Sequence, residues 1–192
     1  MYNFFAYMAR MKLIKRWSLM KANDRENIAE HSAQTAQIAH ALAIIKNRLY
    51  GGTLNADRIA TLALYHEAAE VITGDLPTPI KYYNPEIREA FKEIENIASE
   101  KLISMLPEEL HSDYRDIVIQ PEDTYEHTLV KAADKISAYV KCIEEMRSGN
   151  REFAKAELAL KKEVEVYCSY PEVEYFCQKF LPSFKKTLDE LD

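Results

Sequence analysis

The sequence predicts an all-α protein, a single globular helical bundle of the kind one core of this size can support, over residues 1–192. Three observations predict it. Apolar residues recur at spacings of three and four along several long stretches, polar residues and glycines bracket those stretches as helix caps do, and no segment shows the strict alternation of a half-buried strand. The composition agrees: 47% hydrophobic and 29% charged residues, with only 4 Gly and 7 Pro, suit a compact helical chain and not a disordered one.

Asn27-Ile28-Ala29-Glu30 has the form of a capping box with Asn as the cap, and Gly51-Gly52 is a stop signal, so a helix is expected from about Ile28 to Tyr50. Asn55 or its neighbours open a second helix carrying Ile59, Leu62, Ala63 and Val71, closed by Gly74. Residues 74–83, rich in Pro and Thr, read as an irregular stretch. Asn84-Pro85 is a cap followed by proline at the first helical position, which starts a charged helix through about Ile103, and Pro107 begins a short helical piece. Leu129, Ala133, Ile136, Val140 and Ile143 mark another long helix, ended by Gly149. Two further helical stretches, broken at Pro171 and Pro182, fill the tail.

Bulk properties narrow the function. A net charge of -6 gives no general attraction for a polyanion, so neither a nucleic-acid polymer nor a membrane is expected as a partner. Cys142, Cys168 and Cys177 form no CxxC pair, and an odd count suits a reducing compartment. The opening MYNFFAYMARMKLIKRW lacks the uninterrupted apolar run and cleavage site of an export signal, and nothing approaches the roughly 20 apolar residues of a membrane span. A soluble, cytoplasmic protein is expected.

Several polar residues stand where hydrocarbon belongs. Thr35, Ile38, Leu42 and Ile45 mark the buried stripe of the first long helix, and stepping back four from Thr35 lands on His31. In the next helix Ile59, Leu62 and Ala63 step to His66 and then Glu70, while Ala60 and Leu64 step toward Glu67 and Val71; in the long carboxy-terminal helix Val130 steps four to Asp134. Taken singly, His31 fits a core histidine and Asp134 fits a partner of Lys131 or Lys135. Three helices each presenting an inward nitrogen or oxygen are harder to explain as unrelated pairs. An unpaired buried carboxylate is costly, and one divalent cation of the Co, Mn, Zn, Fe or Cu class satisfies His31, His66, Glu67 and Asp134 together. Glu70, one turn after His66 and on its face, is the candidate general acid or base, and an acid in the last turn of that helix opposes the helix dipole.

The segments RWSLM (Arg16–Met20), ENIAEHS (Glu26–Ser32), AHALAIIKNRLYGG (Ala39–Gly52), YHEAAEVITGDLPTPIKY (Tyr65–Tyr82), KAADKISAYVKCIEE (Lys131–Glu145) and LPSFKKTLDE carry a resemblance. Together they resemble the HD-domain metal-dependent phosphohydrolases, and more closely the bacterial 5'-deoxynucleotidases of the YfbR type, over nearly the whole chain. The resemblance implies hydrolysis of a deoxyribonucleoside 5'-monophosphate to nucleoside and phosphate, a homodimer, and roles residue by residue. His31, His66 and Asp134 match metal ligands. Glu67 stands where the family has Asp, and its extra methylene carries the carboxylate roughly 1.5 Å further. Asp75, just past Gly74, matches a site aspartate near the sugar and is next in line for proton handling after Glu70. Arg16 can offer a planar fork to phosphate, Trp17 can pack on the deoxyribose and exclude a 2'-hydroxyl, and Lys81 is a weaker phosphate candidate. Two other readings stand beside this one: a different HD activity on triphosphates, cyclic dinucleotides or alarmones, and a nucleotide-binding protein whose turnover Glu67 has impaired.

Overall fold

In a computed structural model of the chain, which describes residues 1–81 and 83–192, ten α-helices succeed one another among the described residues. They are α1 (Phe4–Met8), α2 (Ile28–Leu49), α3 (Ala56–Tyr65), α4 (Glu70–Thr73), α5 (Thr78–Lys81), α6 (Pro85–Ile103), α7 (His111–Val118), α8 (Tyr125–Arg147), α9 (Ala154–Tyr167) and α10 (Pro171–Lys179). No strand occurs among the described residues, and the one isolated antiparallel bridge joins Lys15 to Asn27.

The helices begin where side chains satisfy amide groups that have no partner within the helix. Asn27 accepts from Ala29 N–H and Glu30 N–H, and the Glu30 carboxylate accepts in turn from Asn27 N–H. Asn55, Asn84 and Thr124 do the same for α3, α6 and α8. α2 ends one residue before the expected Tyr50, with Gly51 at φ +69° just beyond. Three elements differ from the sequence expectation. The amino-terminal stretch forms α1, which buries Phe4. The irregular stretch contains the short α5; Tyr82 lies outside the described residues. The helix expected from Asn55 to Gly74 is two helices, interrupted over residues 66–69.

α2 packs against α3 and α8, and α9 and α10 close the bundle against α8 and α2. This buries Leu42, Ile59, Leu129, Ile136 and Phe153 at 3% exposure or less, each such side chain contributing about 1.5–3 kcal/mol by leaving water. A second, smaller core gathers Phe4, Ile28, Ala68, Leu102 and Leu106 between α1, α6 and the start of α2. The polar residues fall between the two cores along the chain. Ile28 of the smaller core and Ala36 of the larger flank His31, and Ala63 and Ala68 likewise flank His66 and Glu67.

Candidate metal centre and substrate pocket

His31 on α2, His66 and Glu67 in the break after α3, and Asp134 on α8 bring one ligand atom each within 4.8 Å of one another. His31 Nε2 lies 3.0 Å from Asp134 Oδ1 and 3.6 Å from Glu67 Oε1, and His66 Nε2 lies 3.8 Å from Glu67 Oε1 and 3.9 Å from Asp134 Oδ1. Ligands about 2.1 Å from a common ion stand roughly 3.0–3.4 Å apart in octahedral or tetrahedral arrangements. The group is therefore close to the size a small divalent cation requires.

The break in the helix explains how adjacent residues both reach this point. On a continuous helix His66 and Glu67 would diverge by about 100°. Here the chain tightens, with Ala68 N–H bonding to Tyr65 O at 3.0 Å and Glu70 N–H to Glu67 O at 3.0 Å, and the His66 ring takes the Ala63 carbonyl that Glu67 N–H would use in a regular helix. That contact, 2.6 Å from His66 Nδ1 to Ala63 O, puts the proton on Nδ1 because a carbonyl only accepts. Among the described residues, His66 Nε2 is left with a lone pair, buried and without a partner, as is Glu67 Oε2. His31 is fixed by a similar device. Ser137 donates its single hydroxyl proton to Gln34 Oε1 at 2.6 Å, so it accepts from His31 Nδ1 at 3.2 Å and turns the Nε2 lone pair toward Asp134. A ring lone pair facing a carboxylate at 3.0 Å demands a positive charge, a proton or a cation, between them. Two imidazoles so oriented, two carboxylates and two orphaned ligand atoms fit a divalent cation.

The carboxyls of the site are pushed apart electrostatically. Burial raises the pKa of Asp134, but the His31 contact at 3.0 Å and the nearness of His66 outweigh it and hold the group well below the usual carboxylate range. Glu67 behaves alike: burial opposes ionisation, and Arg16, His31 and His66 overcome it. Glu70, 9% exposed, is pushed up to about 9 by burial and by the neighbouring Glu67 and Asp75, so it carries its proton at neutral pH. Asp75 is raised too, chiefly by burial. Contrary to the sequence expectation, Glu70 opens α4 and does not close a longer helix, so no helix dipole opposes its charge; burial and acidic neighbours suppress that charge instead.

These groups open into one cavity of about 710 Å³, spacious enough for a nucleotide, whose wall includes Arg16, Trp17, His66, Glu70, Asp75 and Lys81. Arg16 donates from Nε to Glu26 Oε2 at 3.0 Å and from Nη1 to Glu67, and its pKa lies above its ordinary value because those acids and Asp134 outweigh the effect of burial. Lys81 reaches the wall but is engaged with Glu95 at 2.8 Å and lies over the Phe91 ring. Every residue singled out from the sequence thus borders one cavity or joins the four-residue cluster beside it. The sequence reading missed Glu26, Gln34 and Ser137, which carry no pattern of their own. It also missed His127 on the cavity wall, which its spacing of seven to Asp134 along α8 could have revealed, and it took Lys131, on the same wall, only as a possible partner of Asp134.

A family model described as 5'-deoxynucleotidase YfbR-like matches residues 3–184. Among curated relatives, a 5'-deoxynucleotidase of Vibrio vulnificus (strain YJ016) is 52% identical over 193 residues, covering 98% of this chain and 97% of its own. One of Yersinia pestis (strain Pestoides F) is 54% identical over 194 residues, covering 100% and 97%. Among solved structures, an HD-domain phosphohydrolase from Listeria innocua superposes with a TM-score of 0.84 at 25% identity, over 95% of this chain and 88% of that one. The cyanophage S-2L HD phosphohydrolase bound to dA and one catalytic Zn²⁺ ion shares the fold, with a TM-score of 0.64 at 20% identity over 95% and 96%.

Proposed function

Because the chain belongs to the YfbR-like 5'-deoxynucleotidase family, we propose that it hydrolyses deoxyribonucleoside 5'-monophosphates with a divalent cation held by His31, His66, Glu67 and Asp134. The observation that carries the reading is the junction of that four-ligand cluster with a neutral Glu70 and a cationic Arg16 at one cavity. A cation bound there would draw charge from a phosphate oxygen and make water a stronger acid. The remaining work falls to side chains. Arg16 offers Nη2 to the phosphate while Glu26 holds its Nε and Glu67 its Nη1. Glu70, whose carboxyl burial holds above the usual carboxylate range, gives its proton to the leaving 5'-oxygen and, once ionised, takes one from the incoming water. Asp75 meets the sugar, and Trp17 covers the face where a 2'-hydroxyl would stand. Lys81, tied to Glu95, has at most an auxiliary part in holding the phosphate.

Glu67 reaches Arg16 as well as both histidines, so its extra methylene is used to bridge the phosphate grip and the ligand cluster. No helix among the described residues is long and apolar enough to cross a membrane. A cytoplasmic homodimer acting on a free nucleotide, and not on a nucleic-acid polymer, completes the proposal.

The test is phosphate release from a deoxynucleoside 5'-monophosphate by the chelator-treated protein, with and without added Co²⁺, Mn²⁺ or Zn²⁺. Cation-dependent release from the monophosphate is expected. Release from triphosphates or cyclic diesters alone would replace this reading with another HD activity, and nucleotide binding without release would make the protein a binder.

A further inference from the structure

We infer that Glu26 is the positioning residue of the pocket: one of its carboxylate oxygens fixes the Arg16 guanidinium and the Trp17 indole relative to each other, so that phosphate grip and sugar discrimination are coupled through a group that touches neither. The inference rests on the proposal that Arg16 and Trp17 meet the nucleotide.

Glu26 Oε2 accepts from Arg16 Nε at 3.0 Å and from Trp17 Nε1 at 3.0 Å. Glu26 does not border the cavity, and its side chain is 10% exposed, so it acts behind the two residues that do. Adjacent residues in extended backbone send their side chains to opposite sides, and two neighbours can share one acceptor only if the chain turns between them. Trp17 makes that turn. Its φ is +60°, in the left-handed region that residues other than glycine seldom adopt. Such a conformation persists where the surroundings over-determine it, and here they do. Arg16 N–H donates to Glu26 O at 3.1 Å, Lys15 and Asn27 form the antiparallel bridge, Met20 N–H donates to Trp17 O at 2.9 Å, and the indole rests on Phe153 with centroids 5.2 Å apart. Residue 26 therefore holds residue 16 by its backbone and both donors by its side chain. The charge matters for Arg16, which lies between Glu26 and Glu67; the oxygen alone suffices for the neutral indole.

Trp17 is the sole tryptophan of the chain, so its emission reports this contact without reference to activity. In the full-length protein, Glu26→Ala is expected to shift Trp17 emission to the red and to raise KM for a deoxynucleoside monophosphate about tenfold or more. It should also lower the deoxyribo-to-ribo ratio of kcat/KM about tenfold, with kcat changed less than KM. Glu26→Gln keeps an acceptor for the indole but no charge for Arg16. Emission and sugar ratio should then stay within about twofold of the parent while KM still rises. Parent-like emission and sugar ratio in Glu26→Ala would overturn the inference. So would an unchanged KM in Glu26→Gln, whose matched volume keeps it folded where the alanine variant fails. If the parent protein itself releases no phosphate, the functional proposal fails, and the emission of the two variants still decides the positioning role.

Discussion

Replacing Glu70 with glutamine should make the cation-stripped protein more stable at neutral pH and the loaded enzyme far slower. An exposed glutamate titrates near 4.5 and Glu70 at about 9, so at pH 7 the folded protein holds a proton that the unfolded chain has released. The raised pKa stabilises the fold fully below pH 4.5 relative to higher pH, and that contribution is lost progressively as pH climbs toward about 9. At pH 7 the 2.5 pH units above 4.5, at about 1.36 kcal/mol each, amount to roughly 3.4 kcal/mol of stability forgone. Water penetration and relaxation make the real desolvation penalty of a buried carboxylate smaller than this, which brings the amount to about 2 kcal/mol. Glutamine has nearly the same volume and no charge to bury, so Glu70→Gln should recover that amount, a rise in Tm of about 4–8 °C for a chain of this length. The assay is thermal unfolding of the cation-stripped parent and variant at pH 4.5, 7 and 8.5. The gap in Tm should widen with pH, and kcat with added cation should fall by roughly 10²- to 10⁴-fold. A gap that is the same at all three pH values would refute the claim that the carboxyl is held neutral, and parent-level kcat would remove Glu70 from proton transfer and pass the role to Asp75.

Asp134→Ala should abolish stoichiometric metal in elemental analysis while far-UV circular dichroism stays near that of the parent, because α8 keeps its cap and its apolar stripe; retained metal would remove Asp134 from the ligand set. Glu67→Asp should raise cation affinity, measured by calorimetry, since the shorter carboxylate gives up Arg16 and serves the cluster alone, while KM for the nucleotide rises as Arg16 loses that support; unchanged or lower affinity would show a scaffold adapted to glutamate. Trp17→Ala should raise kcat/KM for ribonucleotides toward that for deoxyribonucleotides, and an unchanged ratio would take sugar discrimination away from the indole.

The helices and the inward polar residues were legible in the sequence because both are written in local terms. A cap is a contact between residues two or three apart, as between Asn27 and the Ala29 and Glu30 amides, and an apolar stripe repeats every three or four, so His31 and Asp134 stood out by register alone. The family resemblance added substrate class and the roles of Arg16, Trp17 and Asp75, which no spacing contains. Tertiary structure decided the rest. His31 meets Asp134 across 103 residues and Ser137 across 106, and no local rule pairs positions so distant. The break at residues 66–69 escaped detection by periodicity because Tyr65 to Thr73 contains good helix formers. The regular helix ends where the His66 ring captures the Ala63 carbonyl that the next turn would use. The neutrality of Glu70 is likewise set by burial and by the nearness of Glu67 and Asp75, quantities that exist only once the chain has closed around them. The sequence alone determined which faces turn inward and where helices start. Only the packed fold determined which polar groups meet there, because meeting depends on through-space distance and desolvation, and neither is a property of neighbouring residues in a chain.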